Sequence, residues 1–168
     1  MKRIIIKGER EVVNFVKELD EDFILISVTS PGEHFIKIPD NRYCKGILQL
    51  KFYDIERPVI GYSHFTTDHA KQIKEFVLKN KKVNVIICQC EVGVSRSAGI
   101  AAALSKFYHL DEEEIFKNGE YIPNILVYKK LLKAFQVKIG DSELEKLKNL
   151  TLSSIESYLL KMRGELLR

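Results

Sequence analysis

The stretch Val83-Asn84-Val85-Ile86-Ile87-Cys88 is apolar almost without a break and rich in β-branched residues. A strand tolerates that composition only when both of its faces are covered, as in the centre of a largely parallel sheet. Phe23 to Val28 (FILISV) repeats the pattern and stops at the Ser30-Pro31-Gly32 turn signal. Gly46 to Phe52 (GILQLKF) alternates instead, so it reads as a further strand with one face less covered. Between and around these runs the apolar spacing turns helical: Val12, Val13, Val16 and Leu19 after Ile4-Ile5-Ile6, then Ala70, Ile73, Phe76 and Val77 behind a Thr66 or Thr67 cap. Strands alternating with helices predict an α/β fold. We expect a central, mostly parallel sheet of four to five strands flanked by helices.

The 168 residues, 45% of them hydrophobic, suit one compact core, so residues 1–168 read as a single domain. Ser97 to Tyr108 (SAGIAAALSKFY) predicts a helix whose small side chains pack closely on the sheet. Asp111 to Lys117 reads as a short helix and Ile122 to Val137 as a longer one with Pro123 in its first turn, Gly140 serving as a stop. Beyond it, residues 141–168 place Leu144, Leu147, Leu150, Ile155, Tyr158, Leu159 and Met162 at largely helical spacing, which predicts a helical extension of one helix or a pair.

Charge excludes several classes. Twenty-seven Lys+Arg against 23 Asp+Glu leave a net +4, a solvated surface and not a nucleic-acid footprint. Charges interrupt every apolar run before the roughly eighteen residues that a membrane span needs. Three cysteines and an N-terminus without an apolar signal core point to the cytoplasm, not to a disulfide framework. Cys88-Gln89-Cys90 has no second cysteine pair or histidine pair at ligand spacing, so neither a metal nor a cofactor is expected.

The chemistry concentrates in Cys90-Glu91-Val92-Gly93-Val94-Ser95-Arg96-Ser97, between the central strand and the small-residue helix. A cysteine attacks only as thiolate, and consecutive amides at a helix start stabilise that anion. The same amides, from Glu91, Val92, Gly93, Val94 and Ser95, form a nest for a phosphate, with Gly93 letting the backbone curl. Arg96 matches two phosphoryl oxygens with its planar fork, and Ser97 is placed to donate to the cysteine sulfur.

Cys90-x5-Arg96-Ser97 with Gly93 inside resembles the signature loop of the protein tyrosine phosphatase superfamily, in its compact dual-specificity branch. The likeness runs from Phe23 to about Val137. Ile47 to Asp54 (ILQLKFYD), a helix, then VNVIIC and the loop are similar to that branch's order of strand, general-acid Asp, helix, strand and nucleophile. Tyr121-Ile122-Pro123-Asn124 resembles its downstream Pro-Asn element. The resemblance implies Cys90 as nucleophile, Asp54 as general acid, Arg96 as phosphate ligand and Ser97 as leaving-group aid. Glu56 and Asp68 are the reserve acids.

One position departs: the branch usually has His before the cysteine, and here Gln89 stands there, a neutral amide in place of a group that favours the thiolate. The loop carries no lysine, which argues against highly phosphorylated lipid head groups. The substrate implied is therefore a phosphorylated protein or peptide, phosphotyrosine with phosphoserine and phosphothreonine. The alternatives are a phosphopeptide-binding pseudophosphatase and a phosphatase of non-protein phosphomonoesters. Sulfurtransferases have no use for Asp54, and arsenate-reducing relatives carry their cysteine motif at the N-terminus. His34, His64, His69 and His109 form no ligand set, Asn41-Arg42-Tyr43 lies too far from the loop to be a recognition element, and Cys88 reads as core.

Overall fold

Continuous and alternating apolar patterns sort themselves by position in the sheet. The computed structural model describes residues 1–166. Its four strands, β1 (Arg3–Lys7), β2 (Phe23–Thr29), β3 (Cys44–Lys51) and β4 (Val85–Gln89), lie in the order β1-β4-β2-β3 and pair entirely in parallel. β4 and β2 occupy the centre and are buried at every residue, whereas β3 at the edge alternates. The expected mostly parallel sheet is thus wholly parallel, and Phe52 falls just beyond β3, its amide donating to the Thr29 carbonyl at 3.2 Å.

The two faces carry separate cores. Phe23, Leu25, Val85 and Ile87 face Val12 and Val16 of α1 (Glu9–Glu18). Ile24, Ile26, Val28, Ile86 and Cys88 face the larger core, built with α2 (Thr67–Lys79), α3 (Arg96–Phe107), α4 (Glu113–Lys117), α5 (Ile125–Ala134) and the start of α6 (Asp141–Leu166). The period-2 alternation of side chains makes this division inevitable once the strands are buried on both sides. Ala98, Ala101, Ala102 and Ala103 let α3 sit directly on the sheet, and Gly99 admits the start of α5: a Cβ there would stand 2.7 Å from the Asn124 carbonyl oxygen.

Local chemistry sets the helix ends. Thr66 caps α2, accepting from the His69 amide at 3.2 Å, while His69 Nδ1 accepts from the Thr66 amide at 3.1 Å. His69 also packs on Phe52 at 5.3 Å between ring centroids. Asn41 closes α1, donating to the carbonyls of Val16 and Leu19 at 2.7 and 2.9 Å.

Two boundaries differ from expectation. The helix predicted over Ile122 to Val137 is shorter, because Asn124 caps it by accepting from the Val127 amide at 3.0 Å. Gly140 is not a stop but the residue before α6, its carbonyl accepting from the Leu144 amide at 3.0 Å. α6 is one continuous helix whose first half buries Leu144, Leu147 and Thr151 and whose second half exposes Tyr158, Leu159 and Leu160. The last two residues of the predicted extension, 167–168, lie outside the described residues. Among the described residues no helix is long and apolar enough to cross a membrane.

Candidate active site

The loop between β4 and α3 leaves the carboxyl end of the sheet, where α/β folds gather their ligands. Cys90 is buried at its base, with Sγ 3.0 Å from the Ser97 hydroxyl oxygen. The loop is fastened to the β1–α1 turn: the Cys90 amide donates to the Lys7 carbonyl at 3.3 Å, and the Glu9 amide to the Glu91 carbonyl at 3.1 Å. Gly93 has φ +78°, and a Cβ on it would stand 2.5 Å from the Gly8 nitrogen. Its lack of a side chain therefore serves both the left-handed turn and the approach of a second chain segment. Gly8 is the other half of that contact, since its own Cβ would stand 2.7 Å from the Val92 carbonyl oxygen.

From behind, the segment before α5 straps the loop. Ile122 and Asn124 donate amides to the carbonyls of Val94 and Ser95 at 3.0 and 3.1 Å. The carbonyls of Glu91, Val94 and Ser95 are thus occupied outward. Among the described residues none of the amides of residues 91–95 donates to a backbone carbonyl. A run of unpaired N–H groups leading into the N-terminus of α3 is an anion-binding nest.

Arg96, only 4% exposed, closes the arrangement. Its Nη1 donates to Ser30 Oγ at 3.1 Å and to the Phe52 carbonyl at 2.9 Å; its Nη2 donates to Glu91 Oε2 at 2.9 Å. Nε has no partner among the described residues. Of the five N–H donors of a guanidinium, three are committed, and the two left over share the Nε–Nη2 edge. That edge is a bidentate fork for two oxygens of one phosphate.

Asp54 lines the same cavity, of about 380 Å³, as Cys90, Ser95 and Arg96, with Val92, Val94 and Ile122 completing the wall. Its Oδ1 accepts from Ser95 Oγ and from Asn124 Nδ2, both at 2.8 Å. The reserve acids have other work: Glu56 accepts from the Ile125 amide at 2.7 Å at the start of α5, and Asp68 accepts from Gln72 Nε2 at 2.8 Å within α2. Larger cavities along α6 and beside α5 contain no comparable set of nucleophile, amides and guanidinium.

Gln89 turns away from the cysteine, onto the α1 face of the sheet. Its Oε1 accepts from Ser27 Oγ at 2.6 Å, and its Nε2 is buried without a partner among the described residues. Cys88 is fully buried, and burial together with the neighbouring Cys90 pushes its thiol up. It is core, as its place on the strand implied. Sequence reasoning missed four contributors: Ser30, Gly8, Asn124 as the link to Asp54, and the side chain of Glu91, which was assigned only its backbone. Only the Pro-Asn element offered a signal.

No protein-family model matches the chain, and no curated protein matches it. Among solved structures it is similar to the human tyrosine phosphatase-like serine/threonine/tyrosine-interacting protein, with a TM-score of 0.54 and 17% identity over 77% of this chain and 89% of that one. It also matches a mouse putative dual specificity phosphatase complexed with zinc tungstate (TM-score 0.49, 14% identity, 79% and 82% covered) and human DUSP28 (TM-score 0.49, 14% identity, 79% and 91% covered). At this identity the first superposition speaks for the fold: the chain has the compact tyrosine phosphatase fold that its loop resembles.

Proposed function

We propose that the protein is a cysteine-dependent phosphatase of the cytoplasm that hydrolyses phosphotyrosine, and phosphoserine or phosphothreonine, in proteins. The observation that carries this reading is the convergence on one buried cysteine of unpaired loop amides, a two-donor guanidinium edge and a carboxyl group in a single cavity. In this mechanism the Cys90 thiolate attacks phosphorus and the bond to the leaving oxygen breaks, with Asp54 giving that oxygen a proton. Water, losing its proton to Asp54, then cleaves the phosphocysteine. Cys90 departs as thiolate, aided by a hydrogen bond from Ser97. The amides and Arg96 hold the three equatorial oxygens throughout, where charge develops. The apolar Val92, Val94 and Ile122 suit an aryl leaving group, and the lysine-free loop disfavours polyphosphorylated head groups.

Hydrolysis of p-nitrophenyl phosphate, inhibited by vanadate and lost in Cys90→Ser, tests the reading. Phosphopeptide binding with no hydrolysis by the wild-type protein would make it a binding module instead.

A further inference from the structure

Arg96 is buried, and a guanidinium anchored at one nitrogen alone is free to tilt about that anchor. Its Nη1 contacts, Ser30 Oγ and the Phe52 carbonyl, supply that one anchor. The second comes from inside the loop. We propose that Glu91 is the positioning residue of the phosphate site: its carboxylate fixes Nη2 of Arg96 so that the Nε–Nη2 edge faces the nest. The proposal rests on the phosphatase reading of the loop and adds a role for a side chain whose residue type that reading does not require.

Both carboxylate oxygens are engaged, and they close a ring. Glu91 Oε2 accepts from Arg96 Nη2 at 2.9 Å, Glu91 Oε1 accepts from the Ser30 amide at 3.2 Å, and Ser30 Oγ accepts from Arg96 Nη1 at 3.1 Å. The first variable position of the motif and its arginine are thereby tied through Ser30, just beyond β2 and 66 residues away from Arg96. Burial pushes the Glu91 carboxyl up, but the hydrogen bonds from Ser30 and the charge and hydrogen bond of Arg96 outweigh it and hold the group below the ordinary glutamate range. It is therefore ionised wherever Cys90 works. An ionised carboxylate also serves a buried guanidinium before any phosphate arrives, since an uncompensated buried charge is costly.

Glutamate is specified by length and by chemistry. Aspartate is shorter by one carbon–carbon bond, about 1.5 Å, and cannot span both donors from the same backbone position. Glutamine has the length, but its amide offers one acceptor. If that oxygen faces Arg96, the NH2 group meets the Ser30 N–H, donor against donor.

The competing account is that Glu91 is merely a negative charge beside an anion site. The two accounts differ in sign. Removing a bystander charge strengthens anion binding, whereas removing a positioning group weakens it. Protection of Cys90 from iodoacetamide by inorganic phosphate reads occupancy of the site in the intact protein, each variant being normalised to its own phosphate-free rate. We expect the half-protecting phosphate concentration to rise about tenfold in Glu91→Gln, the scale of one charged hydrogen bond, and at least as much in Glu91→Ala, with Glu91→Asp between wild type and Gln. Thermal melts identify any variant that fails to fold; Glu91→Gln, which keeps the side-chain volume, then decides. An unchanged or lower concentration in Glu91→Gln overturns the proposal. Wild-type protein that phosphate does not protect at all removes the phosphate-site reading itself, a distinguishable failure.

Discussion

The two loops that meet at the candidate site are built on opposite principles. The loop from Cys90 to Ser97 buries its nucleophile, its glycine and its arginine, and is tied to the β1–α1 turn on one side and to the segment before α5 on the other. The loop from Asp54 to Tyr62 is almost entirely exposed and is held at its base by the Tyr53 amide on the Ser63 carbonyl (2.8 Å) and by the side chains of Asp54 and Glu56. A phosphate cradle must keep its donors fixed at the positions that charge will occupy, so it is overdetermined by packing. A proton donor has only to reach the leaving oxygen, and a tethered surface loop suffices.

Breaking the rigid loop should damage stability and activity together. Gly93→Ala places a side chain at φ +78° and 2.5 Å from the Gly8 nitrogen. We expect a stability loss of about 3 kcal/mol in denaturant unfolding, at the upper end for left-handed strain, and a fall in kcat/KM of at least about a hundredfold from the displaced donors. A protein that keeps wild-type stability would mean that the loop does not need this conformation.

Breaking the tethered loop should separate the two effects. Asp54→Asn keeps an acceptor for Ser95 and Asn124, so the melting temperature should barely move. Loss of the proton should lower kcat/KM, which reports the first step, on phosphotyrosine peptides by roughly a hundredfold or more while sparing kcat/KM for p-nitrophenyl phosphate, whose leaving group needs little help. Equal losses on both substrates would remove Asp54 from the acid role, and a selective loss in Glu56→Gln would transfer it.

The same contrast explains what the sequence disclosed. Central strands, the small-residue helix and the Cys90-to-Arg96 spacing are local patterns, and each appears where its pattern predicts. Contacts that reach across the chain left no local trace: Asn124 lies 70 residues from the Asp54 it holds, and Ser30 lies 61 from Glu91. Glu91 illustrates the gap well, because its backbone role follows from loop geometry but the direction of its side chain depends on where β2 ends. The Gly8–Gly93 contact is hidden for the same reason, since neither glycine's partner is near in sequence. The end of α5 and the place of Gly140 escape the sequence because Phe135, Val137 and Ile139 keep the segment apolar after the helix has closed, with Gln136 at φ +60°.

The smallest expected effect belongs to Gln89. Its oxygen accepts from Ser27 and its amide nitrogen has no partner among the described residues, so it shapes the loop's support from behind and does not touch the sulfur. Gln89→His should raise the rate of Cys90 alkylation by iodoacetate at mildly acidic pH by a few-fold, because an imidazolium nearby favours thiolate. Superimposable rate–pH curves would assign Gln89 a purely structural role.

The central claim is that phosphate is transferred to Cys90. Asp54→Asn protein, mixed with p-nitrophenyl phosphate and quenched within its first turnovers, provides the direct test, because the first step needs no acid there while the second lacks its base. Mass spectrometry of the digested protein should find a phosphoryl group on the peptide containing Cys90, and none when Cys90 is also replaced by serine. A phosphoryl group on any other residue, or undiminished turnover by Cys90→Ser, would contradict the account.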